Sequence, residues 1–280
     1  MATRIGGLVR LTHPFPSLLD GLVVGAVALS AGADGLTAAR LGLGMTALQA
    51  SIGALNDAVD APRDAIGKAG KPIPAGIVAP AAARVAVVVA AVLGVALSAR
   101  SGGPQLALAL LVLAIGYGYD LLFKGTPWSW LPFAVGIPIL PVFGWFGVAS
   151  RLPTAFAILV PVAAIAGAAL AIANARADAE RDASAGVASV ATVLGYQRSW
   201  QANAILMTGV VVAAVATLMA PGNAAPGAVV VVLIGAAIVG AGVVAGRSAA
   251  SLRLERAWEL EAVGLAVLAA GWIGGVGLAT

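Results

Sequence analysis

Apolar residues run along this chain in blocks of about 20, the length that carries a helix across a bilayer core, and polar residues gather in the short segments between. Nine blocks are read, at 17–33, 38–56, 79–99, 105–123, 128–149, 153–175, 201–219, 226–246 and 257–279. They predict an all-α polytopic membrane protein, nine transmembrane helices around a central cavity, with residues 1–280 forming a single domain. Pro138 and Pro141, in GIPILPVFGW, are expected to kink or break the fifth block. Many of the 36 glycines lie inside blocks, as in Gly235–Gly240–Gly242 and Gly271–Gly274–Gly275, where small residues let helices approach closely.

The pattern is interrupted most sharply after the second and sixth blocks. Asn56 to Gly76 reads NDAVDAPRDAIGKAGKPIPAG: Asn56, Asp57, Asp60 and Asp64, then Lys68 and Lys71, then a Pro-Ile-Pro stop. The sixth block ends in NARADAERDASAG, with Asn174, Asp178, Glu180 and Asp182. Asn56-Asp60-Asp64 and Asn174-Asp178-Asp182 share an i, i+4, i+8 spacing, which resembles a weak internal repeat. Pro62 is expected to end the second helix near Ala61 and leave Asp64 in a loop or a new short helix.

Composition fits the pattern and narrows the chemistry. The chain is 61% hydrophobic, with a mean hydropathy of +1.01, well above the roughly 45–50% apolar usage of soluble domains. The absence of cysteine excludes disulfides, thiolate metal sites and cysteine nucleophiles, and the single histidine, His13, excludes a multi-histidine metal site. The N-terminal stretch carries no apolar segment followed by a small-residue cleavage site, so no removable signal peptide is expected.

A pI near 10 raises the question of nucleic acid, but the distribution of the cations answers it. Thirteen of the 16 lysines and arginines lie at the N-terminus or in the loops after even-numbered blocks; only Arg40, Arg100 and Arg151 lie on the other side. That bias puts the N-terminus and both acidic stretches in the cytoplasm and the C-terminus outside. It predicts a multi-pass cell (inner) membrane protein with a cytoplasm-facing active site, membrane lipids as its surroundings and no nucleic-acid partner.

Six of the 12 acidic residues occupy the two short stretches. Carboxylates four apart on a helix share a face and repel one another unless a cation lies between them. Oxygen donors without nitrogen or sulfur suit Mg²⁺, which is commonly shared with substrate phosphates. Lys68, Lys71, Lys124 and Arg63 are then candidates to hold phosphate oxygens. The combination predicts a Mg²⁺–diphosphate site whose opening to the bilayer admits a long apolar tail. The competing reading is a pair of solvated loops that merely obey the positive-inside bias.

At these residues the chain resembles the UbiA-type intramembrane prenyltransferases. Asn56-Asp57-x-x-Asp60-x-x-x-Asp64 resembles the NDxxDxxxD signature, and Lys68-x-x-Lys71-Pro72-Ile73-Pro74-x-Gly76 its basic tail, with Lys71 where arginine is usual and Ala75 where serine is usual. Asp178-x-x-x-Asp182 resembles the second signature, followed by Gly186, Ser189 and Leu194-Gly195 in the family's order. Tyr119 to Lys124 resembles the Tyr-to-Lys motif between the two.

The resemblance implies Mg²⁺ held by Asn56, Asp60, Asp64, Asp178 and Asp182, with Asp57 a ligand or a partner of the ligands; Asn174 aligns with Asp178 and Asp182. Asp60, Asp178, Tyr119 and Lys124 are its catalytic candidates. Lys68, Lys71, Tyr119 and Lys124 would stabilise the leaving diphosphate of an isoprenyl donor, and a small-molecule or lipid acceptor would capture the allylic cation. A membrane terpene cyclase of the same fold shares donor and metal but needs no acceptor. A transporter is the reading from another class.

Several further residues carry open alternatives. Arg10 either touches substrate or anchors the membrane surface, and His13 is read as a capping or interface histidine more than a base. Asp20, inside the first block, either faces the cavity, where it orients an acceptor or accepts its proton, or pairs with a cation such as Arg10. Asp120 is a candidate orienter of Lys124. Glu259 and Glu261 are read as markers of the ninth block's interface. Trp128, Trp130 and Trp145 are read as an interfacial belt in preference to a prenyl-pocket lining.

Overall fold

A computed structural model describes residues 3–220, 225–248 and 250–276. Positions 277–279, the end of the ninth block, lie outside the described residues. The helices are α1 (Arg4–Leu11), α2 (Pro14–Ser30), α3 (Gly35–Gly67), α4 (Pro80–Ala99) and α5 (Gly103–Gly118), the last continued by a π-helical turn, Tyr119–Phe123. Then come α6 (Leu131–Gly136), α7 (Ile139–Phe146), α8 (Phe156–Ser184), α9 (Val190–Leu194), α10 (Tyr196–Leu218), α11 (Pro226–Ala245) and α12 (Ser251–Val276). Among the described residues there is no strand.

Among the described residues, six helical stretches are long and apolar enough to cross a membrane: α4, α5 with its π turn, α8, α10, α11 and α12. The helices α1 and α2, bent by 57° at their junction, make a seventh if counted as one span. This is fewer than the nine expected. By the same measure α3 has the length but not the apolarity, since Arg40, Gln49 and many small residues interrupt it. The fifth block is broken at Ile137–Pro138 into α6 and α7, together too short, the break expected where a proline lacks its N–H and its ring crowds the preceding turn.

The chain divides into two compact units, Met1–Leu122 with Leu140–Ser150, and Phe123–Ile139 with Arg151–Thr280. In the first, α3 packs between α2 and α4. A Cβ on Gly21 would lie 2.7 Å from the Gly42 carbonyl, and one on Gly42 would lie 2.7 Å from that of Gly21. The two backbones therefore touch, as small residues allow. Leu11, Ala54, Ile73, Val78 and Ala83 form a core cluster under the loop after α3.

In the second unit, α8 packs against α6, α10 and α12. The α11–α12 hairpin closes backbone to backbone: a Cβ on Gly235 would be 2.5 Å from Leu268 N, and one on Gly264 would be 2.6 Å from Val239 N. Ala169, Leu170, Met207 and Val239 form this unit's core cluster.

One expectation about α3 fails. The helix runs through Pro62 to Gly67, so Asp64 stays on the same helix as Asn56 and Asp60. The proline removes one hydrogen bond from a 33-residue helix. Pro62 and Arg63 are exposed and Ala58, whose carbonyl is freed, is only half-buried, so water can take up that carbonyl, and the helix ends with Lys68 N–H on the Asp64 carbonyl at 2.7 Å.

Candidate functional site

The first acidic set is built by the C-terminal half of α3 and the loop that folds back on it. Asp34 caps the start of α3 by accepting from Thr37 N–H at 2.7 Å. After Lys68 the chain turns tightly: Lys71 N–H donates to the Lys68 carbonyl, and both Ile77 and Val78 N–H donate to the Pro72 carbonyl. Gly76 takes a left-handed φ of 67°, a conformation that glycine adopts without strain. Ile73, between the two prolines, is buried in the core cluster. It acts as a plug that fixes the loop and aims Lys71 back at the helix.

The consequence is a tight ionic cluster. Asp57, Asp60 and Asp64 are 4%, 6% and 8% exposed. Lys71 Nζ donates to Asp57 Oδ1 at 2.7 Å and lies 2.8 Å from Asp64 Oδ2, the second an ion pair without good hydrogen-bond alignment. His13 Nε2 is 3.1 Å from Asp57 Oδ1, Arg63 donates to Asp60 Oδ1 at 2.8 Å, and Asn56 Nδ2 donates to Asp120 Oδ1 at 2.7 Å. Burial by itself would lower the Lys71 pKa, but the hydrogen bond to Asp57 and the negative charges of Asp57 and Asp64 outweigh it and hold the ammonium above the ordinary lysine value.

His13 thus serves as a carboxylate partner, held in a left-handed conformation (φ 47°) at the α1–α2 corner. Arg10 is exposed and donates to the Gly70 carbonyl at 3.2 Å, tying α1 to the same loop. Tyr119, on the π turn, adjoins Asp120, which is buried and accepts from Asn56. Asp120 therefore belongs with the first acidic set, a partnership that sequence spacing had not indicated. Tyr119 and Lys68 make further interactions.

The second set lies at the C-terminal end of α8. Asn174, Asp178 and Asp182 are half-buried, Arg181 donates to Asp178 Oδ1, and the Asp182 carbonyl accepts from Val187 N–H at 2.8 Å. The helix ends at Ser184, and Gly186 and Gly195 both have positive φ, 68° and 75°, where the chain turns around α9. Val190 N–H donates to Ser129 Oγ at 3.2 Å, anchoring that turn. Lys124 is the second residue of this unit's first segment, beside Gly125, whose φ is 80°.

The opposite side of α8 carries an anchor that the sequence reading missed. Arg176 is buried and donates to the Tyr196 carbonyl, to Ser199 Oγ at 2.7 Å and to the Gly246 carbonyl at 2.7 Å. Asn203 Nδ2 donates to the Ala169 carbonyl at 3.1 Å and to Glu261 Oε2 at 2.9 Å. Glu261 is therefore a buried packing residue of α12, not an interface marker. Trp145 is also buried, inside the first unit, so of the three tryptophans only Trp128 is strongly exposed. Asn203 and Glu261, set among apolar positions of α10 and α12, were the available signal, since each needs a partner there.

Among the described residues no three acidic or histidine side chains converge on one point. The donor chemistry nevertheless fits a hard cation. Both sets offer oxygen donors, and a single ammonium nitrogen, Lys71 Nζ, already sits within 2.8 Å of two carboxylates. The loop geometry can therefore gather Asp57 and Asp64 about one compact positive charge.

Fold and composition define a multi-pass helical membrane protein, with two carboxylate-bearing helix ends that each carry their own cations. The profile of the UbiA prenyltransferase family matches residues 18–275, and the chain belongs to that family. Solved structures share the fold. A UbiA homologue from Aeropyrum pernix K1 superposes with a TM-score of 0.73 at 19% identity, over 91% of this chain and 96% of that one. A homologue from Archaeoglobus fulgidus bound to DMAPP and Mg²⁺ gives 0.69 at 20% identity, over 94% and 99%. A structure described as digeranylgeranylglyceryl phosphate synthase gives 0.68 at 17% identity, over 98% and 99%. No curated protein matches the chain.

Proposed function

We propose that this protein is a Mg²⁺-dependent prenyltransferase that moves an isoprenyl group from its diphosphate to an aromatic or lipid acceptor within the membrane. The observation that carries this reading is the pair of oxygen-donor sets at the ends of α3 and α8, each already in contact with basic side chains. The Mg²⁺ and DMAPP held by the Archaeoglobus homologue support it. The nine-span topology with cytoplasmic acidic ends, cell-membrane residence and the whole of 1–280 acting as one catalytic domain belong to the same proposal.

Asn56, Asp57, Asp60 and Asp64 from α3, and Asn174, Asp178 and Asp182 from α8, would hold the metal. When bound, Mg²⁺ neutralises charge as the allylic carbon–oxygen bond breaks. The chain's own cations do the rest. Lys71, Arg63 and Arg181 now lie on carboxylates; on loading they exchange those partners for phosphate oxygens, joined by Lys68, Lys124, Tyr119 and Arg10. The leaving diphosphate is thereby met by preorganised positive charge. Lysine at position 71 gives a compact point charge with three rotatable donors where arginine would give a planar fork, so it meets phosphate without a fixed bidentate geometry. The apolar helices exclude water from the cation that forms.

The test is diphosphate release by the full-length protein in lipid nanodiscs with Mg²⁺ and geranyl diphosphate, with and without an acceptor panel. Acceptor-dependent release is expected. Asp60→Ala and Asp178→Ala are each expected to lower it by roughly 10²-fold or more, the scale of losing one transition-state charge contact. Full activity in both variants would end the proposal. Acceptor-independent release of a cyclised hydrocarbon would make the protein a cyclase instead.

A further inference from the structure

Resting on the prenyltransferase reading, we infer that Asp20 and Gln49 form the acceptor-binding subsite and that the reactive end of the acceptor carries a hydroxyl. The pair joins α2 to α3: Gln49 Nε2 donates to Asp20 Oδ2 at 2.7 Å. Asp20 thus pairs with an amide and not with Arg10, which is engaged on Gly70. The contact sits directly beside the Gly21–Gly42 crossing, where the two backbones touch. That crossing leaves α2 and α3 no freedom to slide, so the side-chain pair is held in place.

Its location singles it out. Gln49 precedes Asn56 by seven residues, two helical turns, so it lies on the same face of α3 about 10 Å from Asn56 along the axis. Asp60 and Asp64 continue that face toward the helix end. A substrate whose diphosphate lies at the acidic end would therefore extend its allylic chain toward Gln49. A carboxylate inside an apolar helix is costly and occurs mainly where it serves a substrate path. Among the described residues no cation pairs with this one, and its contact is a neutral amide.

The free atoms specify the ligand. With the amide N–H spent on Oδ2, Asp20 Oδ1 and Gln49 Oε1 have no hydrogen-bond partner among the described residues, and both side chains are only half-buried. Both atoms are acceptors. They call for a hydrogen-bond donor, and a carboxylate at this point would be repelled. A hydroxyl fits: it donates to Asp20 Oδ1 and keeps a lone pair for the allylic carbon. As the new carbon–oxygen bond forms, the bond to diphosphate breaks with its electron pair leaving on the diphosphate, and the hydroxyl proton passes to Asp20. A site built to pair a hydroxyl rejects an analogue that lacks it far more strongly than an apolar pocket rejects a misfit.

The experiment uses full-length protein in nanodiscs with Mg²⁺ and measures two quantities separately: the Kd for geranyl diphosphate, and the KM and kcat for a phenol and a glycerol monoether, each compared with its O-methyl counterpart as a competing ligand. Tighter binding of a hydroxyl probe than of its methyl ether, by about tenfold or more, is expected for the wild type. Asp20→Leu and Gln49→Leu should abolish that difference and raise KM while leaving the Kd for geranyl diphosphate within about twofold, the retained donor binding reporting an intact fold. Equal binding of hydroxyl and ether by the wild type would overturn the inference. So would variants with unchanged KM and discrimination. Failure of wild-type donor binding would overturn the prenyltransferase reading beneath it, and the separate donor measurement distinguishes the two failures.

Discussion

The ionic cluster after α3 turns on one lysine. Lys71 contacts Asp57 and Asp64 and is itself held by the Pro-Ile-Pro turn. Its pKa is raised, so the stability it contributes is complete below the ordinary lysine value of 10.5 and is lost only as pH rises through the higher folded-state value. The difference in thermal midpoint between wild type and Lys71→Met is accordingly expected to stay constant from pH 6 to 10 and to shrink above 10.5. A difference that collapses near neutrality would mean that the lysine is not held by these carboxylates. The residue types of this cluster were legible in the sequence. The pairings were not, because Asn56 and Asp120 are 64 positions apart and His13 and Asp57 are 44 apart, and no local pattern records such distances.

At the scale of the helix, α3 decides where the first acidic set lies. Pro62 was expected to stop it; the helix continues, and three carboxylates remain on one rod. Proline in a helix interior is unfavourable by about 3 kcal/mol relative to alanine, and its smaller loss of freedom on folding returns about 0.4–1 kcal/mol. Pro62→Ala is therefore expected to stabilise the protein by roughly 2–2.6 kcal/mol, seen as a higher thermal midpoint in detergent. An unchanged or lower midpoint would indicate that the proline relieves a constraint at this helix end. On α8, Arg176 plays the complementary part. It is two residues from both Asn174 and Asp178 and so points away from them, and its bonds to the Tyr196 and Gly246 carbonyls and to Ser199 fix the rotation of that helix.

For the molecule as a whole, metal and donor should act only together, since carboxylates now paired with Lys71, Arg63 and Arg181 must give up those cations to phosphate. Geranyl diphosphate at 100 times its Kd is expected to add about 2.7 kcal/mol of stability, read as an upward thermal shift that requires Mg²⁺ and disappears with EDTA. A full shift from geranyl diphosphate without any divalent ion would remove the metal from the proposal.

The sequence by itself determined the membrane class, the family, and the residues of both acidic sets. Each of these is written in local composition or short spacing: an apolar block inserts because of its own hydropathy, and i, i+4 carboxylates share a face whatever surrounds them. Only the tertiary structure decided which cation sits on which carboxylate, that Trp145 and Glu261 are buried, and that Asp20 meets Gln49. Those outcomes depend on which helices touch and at what depth. That is set by backbone contacts such as Gly21 on Gly42 and Gly235 on Leu268, between residues that the chain separates by tens of positions.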